Sequence, residues 1–162
     1  MSITFNADEI FEMAEQIERN GAAFYREAAS KAKDAPTKKF LTDLALMEDG
    51  HLAIFQAMRA GLSPADKEPA TFDPDDQASA YLQAMADAKG FEGKISPGLK
   101  LSGRETLSDV LGIAINAERN SVVFYVGLKT LVQTDRSRRQ VDKVIGEEMG
   151  HIAALQKRLL SL

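Results

Sequence analysis

Apolar residues recur along this chain at intervals of three and four, the spacing of one face of an α-helix, and nowhere alternate singly as a half-buried strand requires. Four stretches carry the pattern, at roughly 7–32, 36–60, 105–133 and 136–160. Capping chemistry marks their ends. Asn6 with Glu9 and Ser102 with Glu105 fit capping boxes, in which each side chain satisfies a backbone N–H that the helix leaves open. Pro36 suits a first turn, where its missing N–H is no loss, and Gly61 suits a helix end. Only a few residues separate the first stretch from the second and the third from the fourth, so each pair should fold as an antiparallel hairpin.

Between the hairpins runs a link from about Leu62 to Leu101, too long for a turn and rich in Pro, Asp and Gly at both ends. It reads as a crossover with a short helix of its own. Asp73 can cap that helix, Pro74 fits its first position, and Tyr81, Leu82, Met85 and Ala88 form an apolar stripe before Gly90. A lone helical hairpin cannot bury its apolar face, whereas two hairpins back to back can. The expected fold is all-α, a single domain over 1–162 forming an antiparallel four-helix bundle of two hairpins joined by a long crossover.

Composition narrows the chemistry. A chain of 162 residues that is 44% hydrophobic can bury one substantial core. It has no cysteine, so it carries no disulfide, thiolate nucleophile or iron–sulfur ligand, and any metal must be held by oxygen and nitrogen. The net charge of -4 arises from 24 acids and 20 bases mixed along the chain, without the basic stripe that a nucleic-acid partner would need. Neither a signal-like start at Met1–Asn6 nor an apolar run long enough for a membrane span is present, so the expected location is the cytoplasm, with no membrane partner.

The apolar seams are interrupted by charge in a repeated way. The chain has two histidines, and each closes the same motif, Glu48-Asp49-Gly50-His51 and Glu148-Met149-Gly150-His151. The repeat extends upstream, where Glu18-Arg19-Asn20 and Phe24-Tyr25 recur as Glu118-Arg119-Asn120 and Phe124-Tyr125. Glu48 and His51 occupy consecutive inward positions of the seam Leu41, Leu44, Glu48, His51, Phe55, Met58. Glu148 and His151 do the same among Val141, Val144 and Leu155. Glu18 lies on the stripe of Phe11, Ala22 and Tyr25, and Glu118 on that of Leu111, Ala114, Val122 and Tyr125. Every helix thus points a carboxylate inward.

Four uncompensated buried carboxylates would repel one another and lose their hydration, at several kcal/mol for each unpaired ion. Arg19 and Arg119 cannot compensate, being turned about 100° from their neighbouring glutamates. Two divalent metals would balance the four carboxylates, and two neutral imidazoles would complete the ligand set. A Glu and a His at i, i+3 share one helix face and can chelate together.

These residues resemble the rubrerythrin-like branch of the ferritin-like di-iron carboxylate proteins, through Glu18, Glu48-x-x-His51, Glu118 and Glu148-x-x-His151. The resemblance spans essentially the whole chain and implies a ferritin-like bundle holding two iron ions. It further implies that Glu48 and Glu148 bridge the metals while Glu18 and Glu118 are terminal, and that Tyr25 and Tyr125 lie near the site. Two departures matter. Rubrerythrins proper carry a four-cysteine rubredoxin module, absent here, which implies an external electron-donor protein. Many also carry a further carboxylate one turn after the third-helix glutamate, associated with their peroxide chemistry, where this chain has Ser121.

A carboxylate-rich site without thiolate suits iron or manganese, with zinc as a substitute; iron is the choice here. The leading expectation is reduction of hydrogen peroxide or dioxygen at the iron pair. A ferroxidase or iron-handling protein, a di-iron hydroxylase of an organic substrate and a purely structural bundle are the alternatives. For Tyr25 and Tyr125 both hydrogen bonding near the site and core packing are open. Gly50 and Gly150 suggest close helix approach, Glu15, Asp49 and Glu147 solvated charges, and Met13, Met47, Met58 and Met85 core or interface filling. The family resemblance implies a homodimer.

Overall fold

The computed structural model describes residues 6–64, 101–132 and 134–162. Four helices account for nearly all of them: α1 (Ala7–Lys31), α2 (Ala35–Ala60), α3 (Leu107–Leu131) and α4 (Asp135–Leu159). No strand occurs among the described residues. The helix expected between Asp73 and Gly90 lies outside them.

Local chemistry sets the helix ends. The Asn6 side chain accepts from Glu9 N–H while Glu9 reaches back to the Asn6 N–H, the expected capping box. Asp34 caps α2 by accepting from Thr37 N–H, with Pro36 in the first turn, and Gly61 is the C-cap. The start of α3 corrects the sequence expectation. Glu105 does accept from Ser102 N–H at 2.8 Å, but it closes a loop in which Gly103 takes φ +82°. The helix begins one box later, at Thr106 with Asp109.

Contacts across the bundle give its topology. Arg59, at the end of α2, pairs with Asp8 at the start of α1, and Lys129 of α3 pairs with Asp142 of α4, so both hairpins are antiparallel. Tyr25 meets Glu118 and Tyr125 meets Glu18, which makes α1 and α3 antiparallel. His51 meets Glu148 and Glu48 meets His151, which does the same for α2 and α4. The third helix therefore starts at the end of the bundle opposite to where the second finishes. A 25-residue helix rises about 37 Å, a distance the 62–101 link must cover. That is why the connection is long.

The core has two apolar halves. One gathers Ile10, Phe11, Ile17, Phe55, Phe124 and Val144, and the other Phe24, Leu41, Leu44, Leu111, Ile115 and Leu155. Each half buries side chains worth about 1.5–3 kcal/mol apiece. Between them lies the layer of glutamates and histidines.

Candidate metal centre

All six repeated residues are buried and converge at mid-bundle: Glu18 from α1, Glu48 and His51 from α2, Glu118 from α3, and Glu148 and His151 from α4. His51 Nδ1 lies 3.0 Å from Glu148 Oε1 and 3.5 Å from Glu18 Oε2. His151 Nδ1 lies 2.9 Å from Glu148 Oε2, 3.2 Å from Glu48 Oε1 and 3.4 Å from Glu118 Oε1. These approaches are close, yet they are not aligned as hydrogen bonds. Among the described residues, Glu18 Oε2, Glu48 Oε1, both oxygens of Glu148 and both Nδ1 atoms have no hydrogen-bond partner. Buried polar atoms are seldom left so, because each orphan costs about 1–3 kcal/mol.

A metal ion would resolve the crowding. Two donors each about 2.1 Å from one ion, at right angles, stand about 3 Å apart, which is the spacing found. The donors form two groups, Glu18, Glu48, His51 and Glu148, and Glu48, Glu118, Glu148 and His151, each with ligand atoms within 4.8 Å of one another. Glu48 and Glu148 belong to both, and Glu148 turns one oxygen to each histidine. The residues present fit a pair of metals.

Tyr25 and Tyr125 both pack in the core and hydrogen-bond to carboxylates of the layer. Each is fully enclosed by the apolar core, and each donates its hydroxyl to the carboxylate of the opposite repeat, Tyr25 to Glu118 and Tyr125 to Glu18. Burial, reinforced by those same carboxylates, pushes both phenols well above their usual pKa, so they stay protonated and donate.

Without metal, protons supply the missing positive charge. Burial alone would drive the protons off the imidazoles, but the surrounding carboxylates outweigh it. His51 is raised to about 11 by Glu148 and Glu18, and His151 to about 12 by Glu118, Glu148 and Glu48. Burial holds Glu18 and Glu118 well above the usual carboxylate range, with the neighbouring glutamates adding to the effect. Glu148 is also penalised by burial, yet His151 and His51 bring it down to about 2.

Comparison with known proteins bears on this layer directly. The family model of the ferritin-like domain matches residues 6–161, and so takes in all four helices and all six converging residues. This chain belongs to the ferritin-like domain family. Its fold is similar to the crystal structure of a protein from Thermotoga maritima described as a ferritin-like diiron-carboxylate protein, with a TM-score of 0.70 and 25% identity over 95% of this chain and 94% of that one. Among curated proteins there is no match.

In this ferritin-like bundle several residues depart from their sequence expectation. Glu147, expected as a solvated charge, accepts from His51 Nε2–H at 2.9 Å, its side chain one-third exposed. Glu15 is buried, held by Arg19 at 2.6 Å and by Arg59 at 3.6 Å. Asp49 keeps to its expectation as a surface charge and pairs with Arg26. Gly50 and Gly150 do not mark close approach, since a Cβ at either would meet nothing within 4 Å. The tight glycine is Gly21, where a Cβ would stand 3.1 Å from Glu48 Oε2. Of the methionines, Met58 is buried and Met13 packs on the core, but Met47 is 42% exposed. On α3, Ser121 is buried and donates to Ala117 O, while Val122 is only half-buried. The repeat itself carried no sign of Glu147, because its counterpart in the first half is Met47.

Proposed function

We propose that this chain holds two metal ions, iron in the native protein, and reduces hydrogen peroxide or dioxygen as rubrerythrin-like members of its family do. The observation that carries this reading is the convergence of unpaired buried donor atoms from four glutamates and two histidines into two groups that share Glu48 and Glu148. Glu18 and His51 would hold one ion, Glu118 and His151 the other, and Glu48 and Glu148 both. Manganese or zinc could occupy the same donors. When bound, a ferrous pair supplies two electrons to the oxidant, one from each iron.

The chain's own part follows from its packing. Apolar clusters on either side of the layer exclude water, which strengthens the pull of the carboxylates on any cation between them. Tyr25 and Tyr125 fix Glu118 and Glu18 while keeping their own protons. Loading must displace the imidazole protons, since a ligating Nδ1 needs its lone pair. Electrons come from a separate donor protein, and the working unit is a homodimer in the cytoplasm. Among the described residues no helix is long and apolar enough to cross a membrane.

Elemental analysis of anaerobically iron-loaded protein, followed by stopped-flow mixing with hydrogen peroxide and with air-saturated buffer, tests the proposal. Two irons per chain and oxidation faster by peroxide support a peroxide reductase. Faster oxidation by dioxygen favours a ferroxidase, the reading that Ser121 encourages by standing where related proteins place a carboxylate. An iron-loaded chain inert to both oxidants would refute the redox function.

A further inference from the structure

The two halves repeat at a fixed offset, yet the surroundings of their imidazoles differ. His51 Nε2–H donates to Glu147 Oε2 at 2.9 Å across the α2–α4 contact, which directs Nδ1 towards Glu18 and Glu148. By the same repeat, the residue facing His151 Nε2 should be residue 47, one before Glu48, as Glu147 is one before Glu148. That residue is Met47, whose thioether is a weak acceptor, and the buried His151 Nε2 has no hydrogen-bond partner among the described residues.

We infer that the two metal positions are unequal, and that the position formed by Glu18 and His51 binds its ion more tightly and fills first because Glu147 positions His51. This rests on the two-metal reading above. A carboxylate that accepts from the far nitrogen of a ligating imidazole fixes the ring's tautomer and orientation and makes the near nitrogen a stronger donor. Losing such a partner costs about 10–100-fold in metal affinity. Glu147 stands on the side of the His51 ring away from the donor atoms, with Lys143 Nζ 3.6 Å from its other oxygen, so its part is to hold the ring. The His151 position lacks this partner, although its carboxylates mirror those of the other half. A partly loaded chain therefore holds its first ion at the His51 end, and the pair is completed at the His151 end.

The test is an anaerobic Co2+ titration of the full chain, followed by visible absorption and by calorimetry, for wild type, E147A, E147Q and M47E. Wild type should bind two ions in steps separated by about tenfold or more. E147A should weaken the tighter step by about 10–100-fold and leave the weaker one in place, while E147Q, which keeps an accepting oxygen, should fall between. M47E should tighten the weaker step and draw the two together. Because Met47 is 42% exposed, that variant should fold even if E147A does not. Two equal steps in wild type, or an E147A protein with both steps unchanged, would overturn the inference alone. A folded wild type that binds no Co2+ would overturn the two-metal reading and this inference with it.

Discussion

Gly21→Ala should separate the fold's stability from its metal affinity. Gly21 lies inside α1, where glycine is less favourable than alanine by about 1 kcal/mol, so a structural reason must keep it there. The reason is Glu48 of the facing helix: an added Cβ would stand 3.1 Å from its Oε2, 3.3 Å from its Cγ and 3.4 Å from its Cδ. Ordinary contacts need a few tenths of an ångström more, and overpacking of this kind costs about 1–3 kcal/mol. Gly50→Ala is the control, because its Cβ meets nothing within 4 Å and its position is exposed. The helix-propensity gain is common to both variants and cancels between them. Gly21→Ala should therefore be less stable than Gly50→Ala by about 1–3 kcal/mol, or about 2–4 °C of Tm per kcal/mol in a chain of this size. Metal affinity is the sharper readout, since Glu48 belongs to both donor groups and its Oε1 sits 3.2 Å from His151 Nδ1. Shifting it should weaken binding by about tenfold, whereas Gly50→Ala should leave binding unchanged. Thermal unfolding of the metal-free proteins and metal titration of each would check both halves. Equal stability and equal affinity in the two variants would refute the close packing of Gly21 on Glu48.

Tyr25→Phe and Tyr125→Phe should each cost about 1–3 kcal/mol, since each leaves a buried carboxylate without its donor, and each should perturb the ligand of the opposite repeat, Glu118 and Glu18 respectively. Denaturant unfolding gives the first effect and metal titration the second. In the metal-free protein, His51, His151, Glu18 and Glu118 all have folded pKa values above their unfolded ones, so the stability they contribute is full at low pH and is lost as pH rises. For the histidines the loss begins near the ordinary imidazole value of 6.5 and runs to about 11 and 12. Glu148, held down at about 2, acts oppositely: its contribution is lost as pH falls below the ordinary carboxylate value of 4.5. The metal-free Tm should fall between neutral and alkaline pH, and metal affinity should rise over the same range as the imidazole protons become easier to displace; a flat profile in both would contradict the charge balance described. Arg59→Ala should destabilise by about 1.5–3 kcal/mol by removing the bidentate contact to Asp8 and one of the two cations that hold buried Glu15, as measured by urea unfolding.

The parts of this molecule that were legible in the sequence are those written along single helices. The spacing of Leu41, Leu44, Glu48, His51, Phe55 and Met58 places its carboxylate and imidazole inward whatever the helix packs against. The hundred-residue repeat then supplies the other half of the centre. What was not legible depends on contacts between helices. Glu147 lies off the repeated register, and only the approach of α4 to α2 brings it to His51. Glu15 reads as a surface charge beside Arg19, but its burial and its second cation come from Arg59 on α2. Gly21 and Gly50 look alike as helix glycines, and only the facing side chain distinguishes them. The start of α3 failed for another reason: two capping boxes stand in succession, Ser102 with Glu105 and Thr106 with Asp109, and both form their hydrogen bonds. Local pattern alone could not choose between them.

In the function proposed above, six side chains hold two metals. A crystal structure of the anaerobically iron-loaded protein, with anomalous scattering collected at the iron edge, tests it most directly. Two peaks are expected, one among Glu18, Glu48, His51 and Glu148 and the other among Glu48, Glu118, Glu148 and His151. An empty layer with the histidines still crowded against the carboxylates, or iron bound only at the protein surface, would contradict it.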